Sequence, residues 1–446
     1  MTLLSGRGWK ASVVIFGVFL AACGGGSTST APPLAGCNSG TTLATFWTSH
    51  GPPDVDSLKK ITANFNKQSN TTCVKIVQVP GSETDTAKLT TAIRSGTGPD
   101  VYMLDRFIVA ERAGGGFLED LSQYGASDLS NSYLDFAWKE ANFKGHPYAL
   151  PFDTDTRALF YRKDLLQAAG VDISVLDPAK GPITIDQLRA MANKVNKKDS
   201  KGAYTVVGFI PWINQGWHYT WGFSYGGSFY DSSACKVTPD DPKIVTAFRD
   251  MFTNWSKALG TSQVFTFLSS YNPPNLPAQQ DPFLTGHLGF VITGDWVLGN
   301  IATYVPNLQY GVTWIPIPKT GDNPSTWAGG WSMVIPKGPK NGKGGYEFMK
   351  YITGADGQRV YVADTQHTPT FKSLSDDLSL FPGNHKFFHD QLPNAHSRPP
   401  LPVGAFYWDQ LSIAQDKATR GADPQGPLTD AATKTNDKLK SFCPVT

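Results

Sequence analysis

The sequence has little charge. Only 17% of its 446 residues are Asp, Glu, Lys or Arg, and the formal net charge is +2. Arg7 and Lys10 lie in the N-terminal segment described next, and without them the chain has 37 basic and 37 acidic residues. A chain without excess positive charge is not drawn to nucleic acid or to an acidic membrane surface. We therefore expect no nucleic-acid partner.

The sequence also lacks apolar runs long enough to cross a bilayer, which takes about 18 or more residues. Residues 11–22 form an apolar segment that follows Arg7 and Lys10. A basic start and an apolar core of about 7 to 15 residues are typical of a signal peptide. We predict that residues 1–22 are such a peptide and that the mature chain is exported and soluble.

The segment Leu20-Ala21-Ala22-Cys23 resembles the lipobox of bacterial lipoproteins. The resemblance implies that Cys23 is acylated after cleavage, which would anchor the chain to the cell membrane. Residues 23–36 are uncharged and rich in Gly, Ser and Thr, so they are predicted to form a flexible tether. The alternative is an ordinary signal peptide with an incidental cysteine.

Cysteine is scarce, with five in the chain. With Cys23 set aside for acylation, Cys37, Cys73, Cys235 and Cys443 remain. An even number of cysteines in an oxidising compartment predicts two disulfides, although four cysteines allow three pairings. Cys37 and Cys73 each precede a predicted strand, and parallel neighbours would bring them together. That pairing leaves Cys235 for Cys443. The chain has no CxxC pair, which argues against a metal site.

Strand and helix patterns alternate from residue 42 onward. A βαβαβ order predicts a parallel sheet covered by helices, with ligands outside the carboxyl ends of the strands. Those ends are Thr48-Ser49-His50 and Asp105-Arg106. The predicted strands are residues 42–47, 74–79, 100–104, 158–161, 206–210 and 288–292, and the predicted helices follow Pro53, span residues 87–94, or begin near Asp164 and Thr184.

Aromatic residues are abundant, at 12% of the chain. Sugars stack their C–H faces on flat rings and need amides or carboxylates for their hydroxyls, as Asn214 and Gln215 offer beside Trp212 and Trp217. The alternative for any one ring is core packing. The clusters are residues 212–221, 293–296, 327–331 and 405–408. We interpret four such clusters as the lining of one cleft.

The order of several motifs resembles the extracellular solute-binding proteins of bacterial ABC importers, whose members include binding proteins for maltose and for glycerol phosphate. The resemblance covers essentially the whole mature chain. The matching segments are FW at residues 46–47, GPDV at 98–101, LFYRKDLL at 159–166, ITGDW at 292–296, YGVTWIPIP at 310–318, WAGGWSMVIPKGPKN at 327–341, KYIT at 350–353 and HTPTFK at 367–372.

This resemblance implies an α/β protein with the two-lobed periplasmic-binding-protein fold. Each lobe would have a mostly parallel sheet with flanking helices, and ligand would bind between the lobes. The implied N-terminal lobe is residues 37–152 with 324–362, and the C-terminal lobe is residues 157–318 with 370–446. The implied crossings lie near residues 153–156, 319–327 and 363–370.

The resemblance also implies site residues. Trp296 matches a ligand-stacking position, Tyr407 and Trp408 match an aromatic ligand-binding stretch, and Trp217 lies where cleft aromatics are found. Ser49-His50 stands where maltose-type members have an acid and a lysine, which counts against a maltodextrin ligand. The candidate ligand-binding residues are Ser49, His50, Asp105, Arg106, Asp153, Trp217, Asp295, Trp296, Gly330, Trp331, Arg398, Tyr407 and Trp408.

The predicted function is a monomeric receptor without cofactor or metal, which delivers a carbohydrate or polyol to an ABC permease. A glycerophosphodiester or glycerol phosphate is the alternative ligand, with Arg398 as its phosphate partner.

Two other functions are weaker alternatives. A secreted glycoside hydrolase would need a carboxylate pair, such as Asp153 with Asp155 or Asp105 with Asp295. Metal capture by His385 and His389 lacks the glutamate of the HExxH motif, and a polar helix face is the simpler interpretation of that pair.

Overall fold

The computed structural model describes residues 36–79, 81 and 87–445. The predicted signal peptide, Cys23 and nearly all of the predicted tether lie outside these residues. Within them, no helix is both long enough and apolar enough to cross a membrane.

The described residues form short strands joined by helices. The strands are β1 (Thr42–Thr48), β2 (Thr72–Gln78), β3 (Val101–Asp105), β4 (Asn142–Phe143), β5 (His146–Pro147), β6 (Ala149–Pro151), β7 (Asp153–Thr154), β8 (Arg157–Arg162), β9 (Lys197–Lys198), β10 (Tyr204–Val206), β11 (Tyr230–Asp231), β12 (Lys236–Val237), β13 (Phe290–Gly294), β14 (Tyr310–Thr313), β15 (Thr326–Ala328), β16 (Trp331–Val334), β17 (Thr368–Pro369) and β18 (Ala395–Ser397). The helices are α1 (Asp54–Gln68), α2 (Ala87–Arg94), α3 (Val109–Gly114), α4 (Asp135–Glu140), α5 (Lys163–Ala168), α6 (Ile185–Val195), α7 (His218–Ser224), α8 (Pro242–Phe248), α9 (Trp255–Leu259), α10 (Thr261–Tyr271), α11 (Trp296–Tyr304), α12 (Gly342–Ile352), α13 (Ala355–Thr365), α14 (Lys372–Ser375), α15 (His385–Gln391), α16 (Gly404–Thr419) and α17 (Gln425–Leu439).

The first lobe contains a five-stranded sheet in the order β2-β1-β3-β16-β6. Strand β1 runs parallel to β2 and β3, as the alternation of strands and helices predicts, whereas β16 runs antiparallel to β3 and β6. Helix α1 buries Val55, Leu58, Ile61 and Phe65. Their spacing of three and four residues places these side chains on one helix face.

The second lobe contains a three-stranded sheet in the order β13-β8-β14. All six residues of the central strand β8 are buried. Both neighbours run antiparallel to β8, so the prediction of a mostly parallel sheet is wrong for this lobe. Helix α6 begins as predicted at Thr184, which forms a capping box with Gln187.

The predicted strand at residues 206–210 is confirmed only over residues 206–208. Strand β10 ends at Val206, and Val207 makes a single bridge with Leu288. Gly208 lies so close to the backbone of Ala192 that a side chain would overlap it. Pro211 follows and has no N–H for a strand ladder. Backbone hydrogen bonds join residues 207–208 to residues 287–290, so the chain pairs beside the start of β13 over two residues only.

The three predicted crossing segments lie side by side. Strand β7 pairs with β17, and Asp155 forms a bridge with Gly329. The exact boundaries of the two lobes stay a prediction.

Arg106 joins these segments. It is fully buried and donates hydrogen bonds to the Glu140 carboxylate at 2.9 Å and to the carbonyls of Asp153 and Gly329. The prediction that Arg106 contacts ligand is therefore wrong, because its guanidinium is used within the protein.

Replacing Arg106 with leucine is expected to destabilise the protein by about 3–5 kcal/mol, since it leaves the buried Glu140 carboxylate without its charge partner. The free energy of unfolding in urea measures this loss. Arg420→Leu is the control, because Arg420 pairs with Asp416 on the surface, where such pairs contribute little. Equal stability of Arg106→Leu and wild type would contradict this role.

The predicted disulfides are confirmed. Cys37 is bonded to Cys73 with a Cα–Cα distance of 5.6 Å, and Cys235 is bonded to Cys443 with a Cα–Cα distance of 6.1 Å. The first bond links the chain before β1 to its parallel neighbour β2. The second ties the C-terminal end of the described residues to the second lobe.

Candidate ligand-binding site

A cavity of about 230 Å³ lies between the two lobes. We call it the interlobe cavity. Its lining residues come from the ends of strands in both lobes and from the crossing segments. They are His50, Asp54, Asp105, Asp155, Arg157, Gln215, Trp296, Gly330, Trp331, His367 and Arg398.

Strand ends of the first sheet supply one wall of this cavity. Strand β3 ends at Asp105, which is paired in register with Trp331 at the start of β16. His50 follows β1, and its ring packs against Trp331 with 4.5 Å between ring centroids. Gly330 has a φ of +126°, and a side chain there would overlap Arg106 and the Asp153 carbonyl. Glycine thus allows the chain to pass tightly behind this wall.

Trp296 forms the opposite wall. It begins α11 directly after Gly294 and Asp295, and a side chain at position 294 would overlap its indole. The indole stacks near His367 at 5.9 Å and near the Arg157 guanidinium at 5.5 Å. The glycine before it therefore lets the ring fold back across the end of β13.

Two predicted ligand residues, Asp153 and Asp295, are enclosed by protein and do not line the cavity. Asp295 is fully buried and accepts hydrogen bonds from the Thr368 hydroxyl at 2.7 Å and backbone N–H at 3.1 Å. Asp153 accepts a hydrogen bond from the Trp331 backbone N–H at 2.6 Å. Both carboxyls hold crossing segments in place, which corrects their predicted role.

The charged side chains of the interlobe cavity form three acid–base pairs. Asp105 contacts Arg398 at 2.6 Å, Asp155 contacts Arg157, and Asp54 lies 3.8 Å from His367. Each acid therefore has a basic partner within the same lining.

The two histidines of the lining differ in protonation. Burial acts to lower the pKa of His367, but the nearby carboxylates of Asp54, Asp153 and Asp295 outweigh burial and raise it to about 10. Burial lowers the pKa of His50 to about 4. At neutral pH His367 is charged and His50 is not, so the lining has three basic groups to match its three acids.

Burial raises the pKa of Asp295 to about 7 from its ordinary value of 3.8, despite the opposing charge of His367. A carboxyl whose pKa is higher in the folded state stabilises the fold below its unfolded pKa, and this stabilisation is lost as the pH rises through the folded pKa. The contribution of Asp295 to stability should thus be lost between about pH 4 and about pH 7.

In Asp295→Asn we expect this loss to be smaller by about 1.4 kcal/mol or more, the equivalent of one pKa unit. Urea unfolding across the pH range measures it, with the exposed Asp430→Asn as control. An unchanged pH profile in Asp295→Asn would contradict the buried, protonating carboxyl.

Rings from both lobes close one end of the interlobe cavity. The Arg398 guanidinium lies 3.9 Å from the Phe107 ring centroid and 5.6 Å from that of Trp408. Trp408 packs against Phe107 at 5.7 Å and against Trp217 at 4.9 Å. Trp217 and Trp408 thus lie next to the cavity, behind Arg398.

Tyr407 and Ser49 are predicted ligand residues that do not line the interlobe cavity. Tyr407 is 1% exposed, and its hydroxyl donates to the Phe229 carbonyl at 3.0 Å. Neighbouring helix residues point about 100° apart, so Trp408 and Tyr407 cannot both face the cleft. Ser49 is half-buried between β1 and His50.

A second chamber of about 210 Å³ adjoins the interlobe cavity. We call it the outer chamber. It shares Gln215 and Trp296 with the interlobe cavity, and its polar lining includes Asn214, Asp281 and Asn300. The Asn214 amide faces the Asp281 carboxylate at 3.5 Å. The residues Asn214 and Gln215 therefore both line the outer chamber, and their contact with a ligand stays a prediction.

Sequence reasoning missed three charged residues of the lining, Asp54, Arg157 and His367. Asp54 opens α1 just after the end of β1, so the rule that ligands lie at strand ends could have found it. His367 begins the HTPTFK segment, which indicated the family but not a role in the site, and nothing in the sequence marks Arg157. Within the described residues, no group of three or more His, Cys, Asp or Glu side chains could hold a metal ion.

His385 does not form a polar helix face. It is fully buried, and both His385 and His389 pack against Phe381, at 5.0 and 4.3 Å between ring centroids. The helix α15 thus turns this pair toward the protein, which corrects the interpretation made from the sequence.

Two lobes that enclose a polar and aromatic cavity define a binding protein of the bilobed type. A family model for bacterial extracellular solute-binding proteins matches residues 51–359, more than half of the chain. The chain belongs to this family, and the resemblance seen in the sequence is confirmed. Its location is therefore extracytoplasmic, and the proteins of the family are binding proteins.

Individual relatives agree with this assignment. The maltotriose-binding protein of Pyrococcus abyssi is 24% identical over 411 residues, which cover 90% of this chain and 82% of that protein. The structure of CpMnBP1 with mannobiose bound has a TM-score of 0.78 at 22% identity, covering 88% of this chain and 99% of that one.

The GacH receptor of Streptomyces glaucescens, solved unliganded and with acarbose, has a TM-score of 0.73 at 23% identity, covering 90% and 99% of the two chains. The two-lobed α/β prediction is thereby confirmed.

Proposed function

We propose that the protein captures a neutral saccharide in the interlobe cavity and delivers it to an ABC importer. The observation that carries this proposal is the set of three acid–base pairs beside Trp296 and Trp331. Paired charges leave no net charge for an ionic ligand but still offer hydrogen-bonding atoms to hydroxyls. The indole rings offer flat faces to the C–H groups of a sugar.

The two chambers support a ligand of at least two linked sugar rings. Trp296 and Gln215 belong to both linings, so a disaccharide could stack on one indole and extend to either side. The relatives bind maltotriose, mannobiose and acarbose by name, which supports a saccharide of this size.

Closure of the lobes around ligand would convert binding into a signal for the permease. Ligand shifts the protein toward the closed form because it contacts both walls only there. The same contacts would make the sugar inaccessible to solvent until the transporter opens the lobes.

A phosphodiester ligand is less well supported. The proposed phosphate partner Arg398 already contacts the Asp105 carboxylate at 2.6 Å, and both side chains are buried. An added phosphate would compete with that carboxylate and bring a negative charge into a cavity without net charge.

We also propose that the chain has no hydrolase activity. Asp105 and Asp155 are paired with arginines, and Asp153 and Asp295 are enclosed by protein. Glycoside hydrolysis needs two carboxyl groups that face the same glycosidic bond from opposite sides. The two carboxyls that line the cavity, Asp105 and Asp155, are each engaged by an arginine instead.

Anchoring is proposed to occur through acylated Cys23, with the receptor acting as a monomer. In Cys23→Ser we expect complete loss of label from an acyl-chain probe in cells. Release of the variant from the membrane fraction would accompany that loss. Retained label would contradict lipidation at Cys23, and a dimer mass in solution scattering would contradict the monomer.

A thermal-shift screen tests the ligand class. The melting temperature should rise with neutral di- and trisaccharides, since a ligand that binds the folded state stabilises it by RT ln(1 + [L]/Kd). Mannobiose, maltotriose and trehalose are suitable probes, with glycerol 3-phosphate and glycerophosphocholine as the competing class. A shift with the phosphate compounds alone would overturn the proposal.

A further inference from the structure

Two further cavities lie outside the interlobe site. One of about 700 Å³ and one of about 310 Å³ share Asn323, Pro324 and Ser325. We call the two together the 318–325 groove, after the loop that borders them. The larger part is open and includes Phe223 and His396, whose rings stack in parallel at 4.5 Å.

The smaller part of the groove contains polar groups that have no partner within the protein. Gln391 is 2% exposed, and neither its amide nitrogen nor its amide oxygen makes a hydrogen bond. The buried Ser325 hydroxyl is unpaired as well. An unpaired buried polar group costs about 1–3 kcal/mol of stability. Because neither polar atom of the Gln391 amide is paired within the protein, we expect a bound molecule to supply its hydrogen-bond partners.

The lining of the smaller part also defines the ligand chemistry. It consists of Trp314, Asn323, Pro324, Ser325, Thr326 and Gln391, and none of these side chains is ionisable. An amide offers one donor and one acceptor group, which suits a hydroxyl better than a charged group. The Trp314 ring adds a flat apolar surface, and its indole N–H donates to the Pro178 carbonyl at 2.9 Å.

We propose that the smaller part of the 318–325 groove is a second binding site, which takes a neutral, hydroxyl-bearing small molecule such as a sugar or sugar alcohol. The occupant sits with its hydroxyls on Gln391 and Ser325 and with its apolar face toward Trp314. This site does not depend on the function proposed for the interlobe cavity.

Strand β15 separates the groove from the interlobe cavity. Thr326 lines the groove and exchanges hydrogen bonds of 2.9 Å with the backbone of Arg157. The next residue, Trp327, has its ring 3.4 Å from the Arg157 guanidinium. The two sites are therefore close, but their linings share no residue, so a substitution can be directed at one lining alone.

Indole N–H resonances distinguish the two sites. Glycerol, mannitol, glucose and trehalose are titrated into the Trp296→Ala variant, in which the interlobe site is impaired. We expect at least one probe to shift the Trp314 resonance, identified by its absence in Trp314→Phe, and to do so saturably at millimolar concentration. The shift should vanish when Gln391→Leu or Ser325→Ala is added, and it should persist with Gln415→Leu, an equivalent change outside both linings.

Stability separates ligand binding from a structural role. In Gln391→Leu an apolar side chain replaces a buried amide that has no hydrogen-bond partner. The melting temperature of this variant should therefore equal or exceed that of wild type. A saturable Trp314 shift that survives Gln391→Leu and Ser325→Ala would overturn the proposal. Absence of any Trp314 shift with all four probes at tens of millimolar would overturn it also, because the groove would then hold water only.

Discussion

Replacing Trp296 with alanine is expected to weaken neutral disaccharide binding by about 30- to 900-fold, the equivalent of about 2–4 kcal/mol. The indole forms one wall of the interlobe cavity and also borders the outer chamber. Its removal therefore takes away the stacking surface of both chambers. Isothermal titration calorimetry measures the dissociation constant directly.

Trp138→Ala is the matched control for this experiment. Trp138 is half-buried and stacks on Tyr133 at 5.9 Å, away from both chambers. We expect its affinity for the disaccharide to match that of wild type. Equal losses in both variants would indicate a general effect of removing an indole and would contradict the assigned role of Trp296.

Asp105→Asn is expected to lower saccharide affinity on the order of a hundredfold or more, because it leaves the buried Arg398 without its charge partner. Asp105 ends β3 of the first lobe, whereas Arg398 precedes Leu401 and Val403, which pack in the core of the second lobe. The pair therefore joins the lobes, and its loss should weaken closure more than it weakens either lobe.

A double-mutant cycle with Arg398→Met tests this explanation. Removing both charges leaves no unpaired ion, so the double variant should lose less affinity than the two single changes would together. Additive losses would contradict coupling between Asp105 and Arg398. The melting temperature of the unliganded variants serves as a control for damage to the fold.

Much of the first lobe could be predicted from the sequence, because local patterns determine it. The helix after Pro53 and the strand before Ser49 follow from the spacing of apolar residues, and the parallel pairing of β1 and β2 accounts for the Cys37–Cys73 bond. The antiparallel sheet of the second lobe could not be predicted in this way. Its strands β8, β13 and β14 are separated by long segments, so no local pattern sets their direction.

The candidate site was predictable only in part, for a similar reason. Strand ends identify where side chains gather, and His50 and Asp105 do line the cavity. They do not indicate which way each side chain points. Arg106 follows Asp105 directly but points into the crossing segments, where the carbonyls of Asp153 and Gly329 bind it. Such contacts depend on residues far away in the chain.

The most direct test of the central claim is calorimetric titration of the mature wild-type protein with a neutral disaccharide and, separately, with glycerol 3-phosphate and glycerophosphocholine. We predict saturable binding of a neutral saccharide such as mannobiose, strongly weakened in Trp296→Ala, and no comparable binding of the two phosphate compounds. Tight binding of a phosphate compound, unaffected by Trp296→Ala and without measurable binding of any saccharide, would contradict the account.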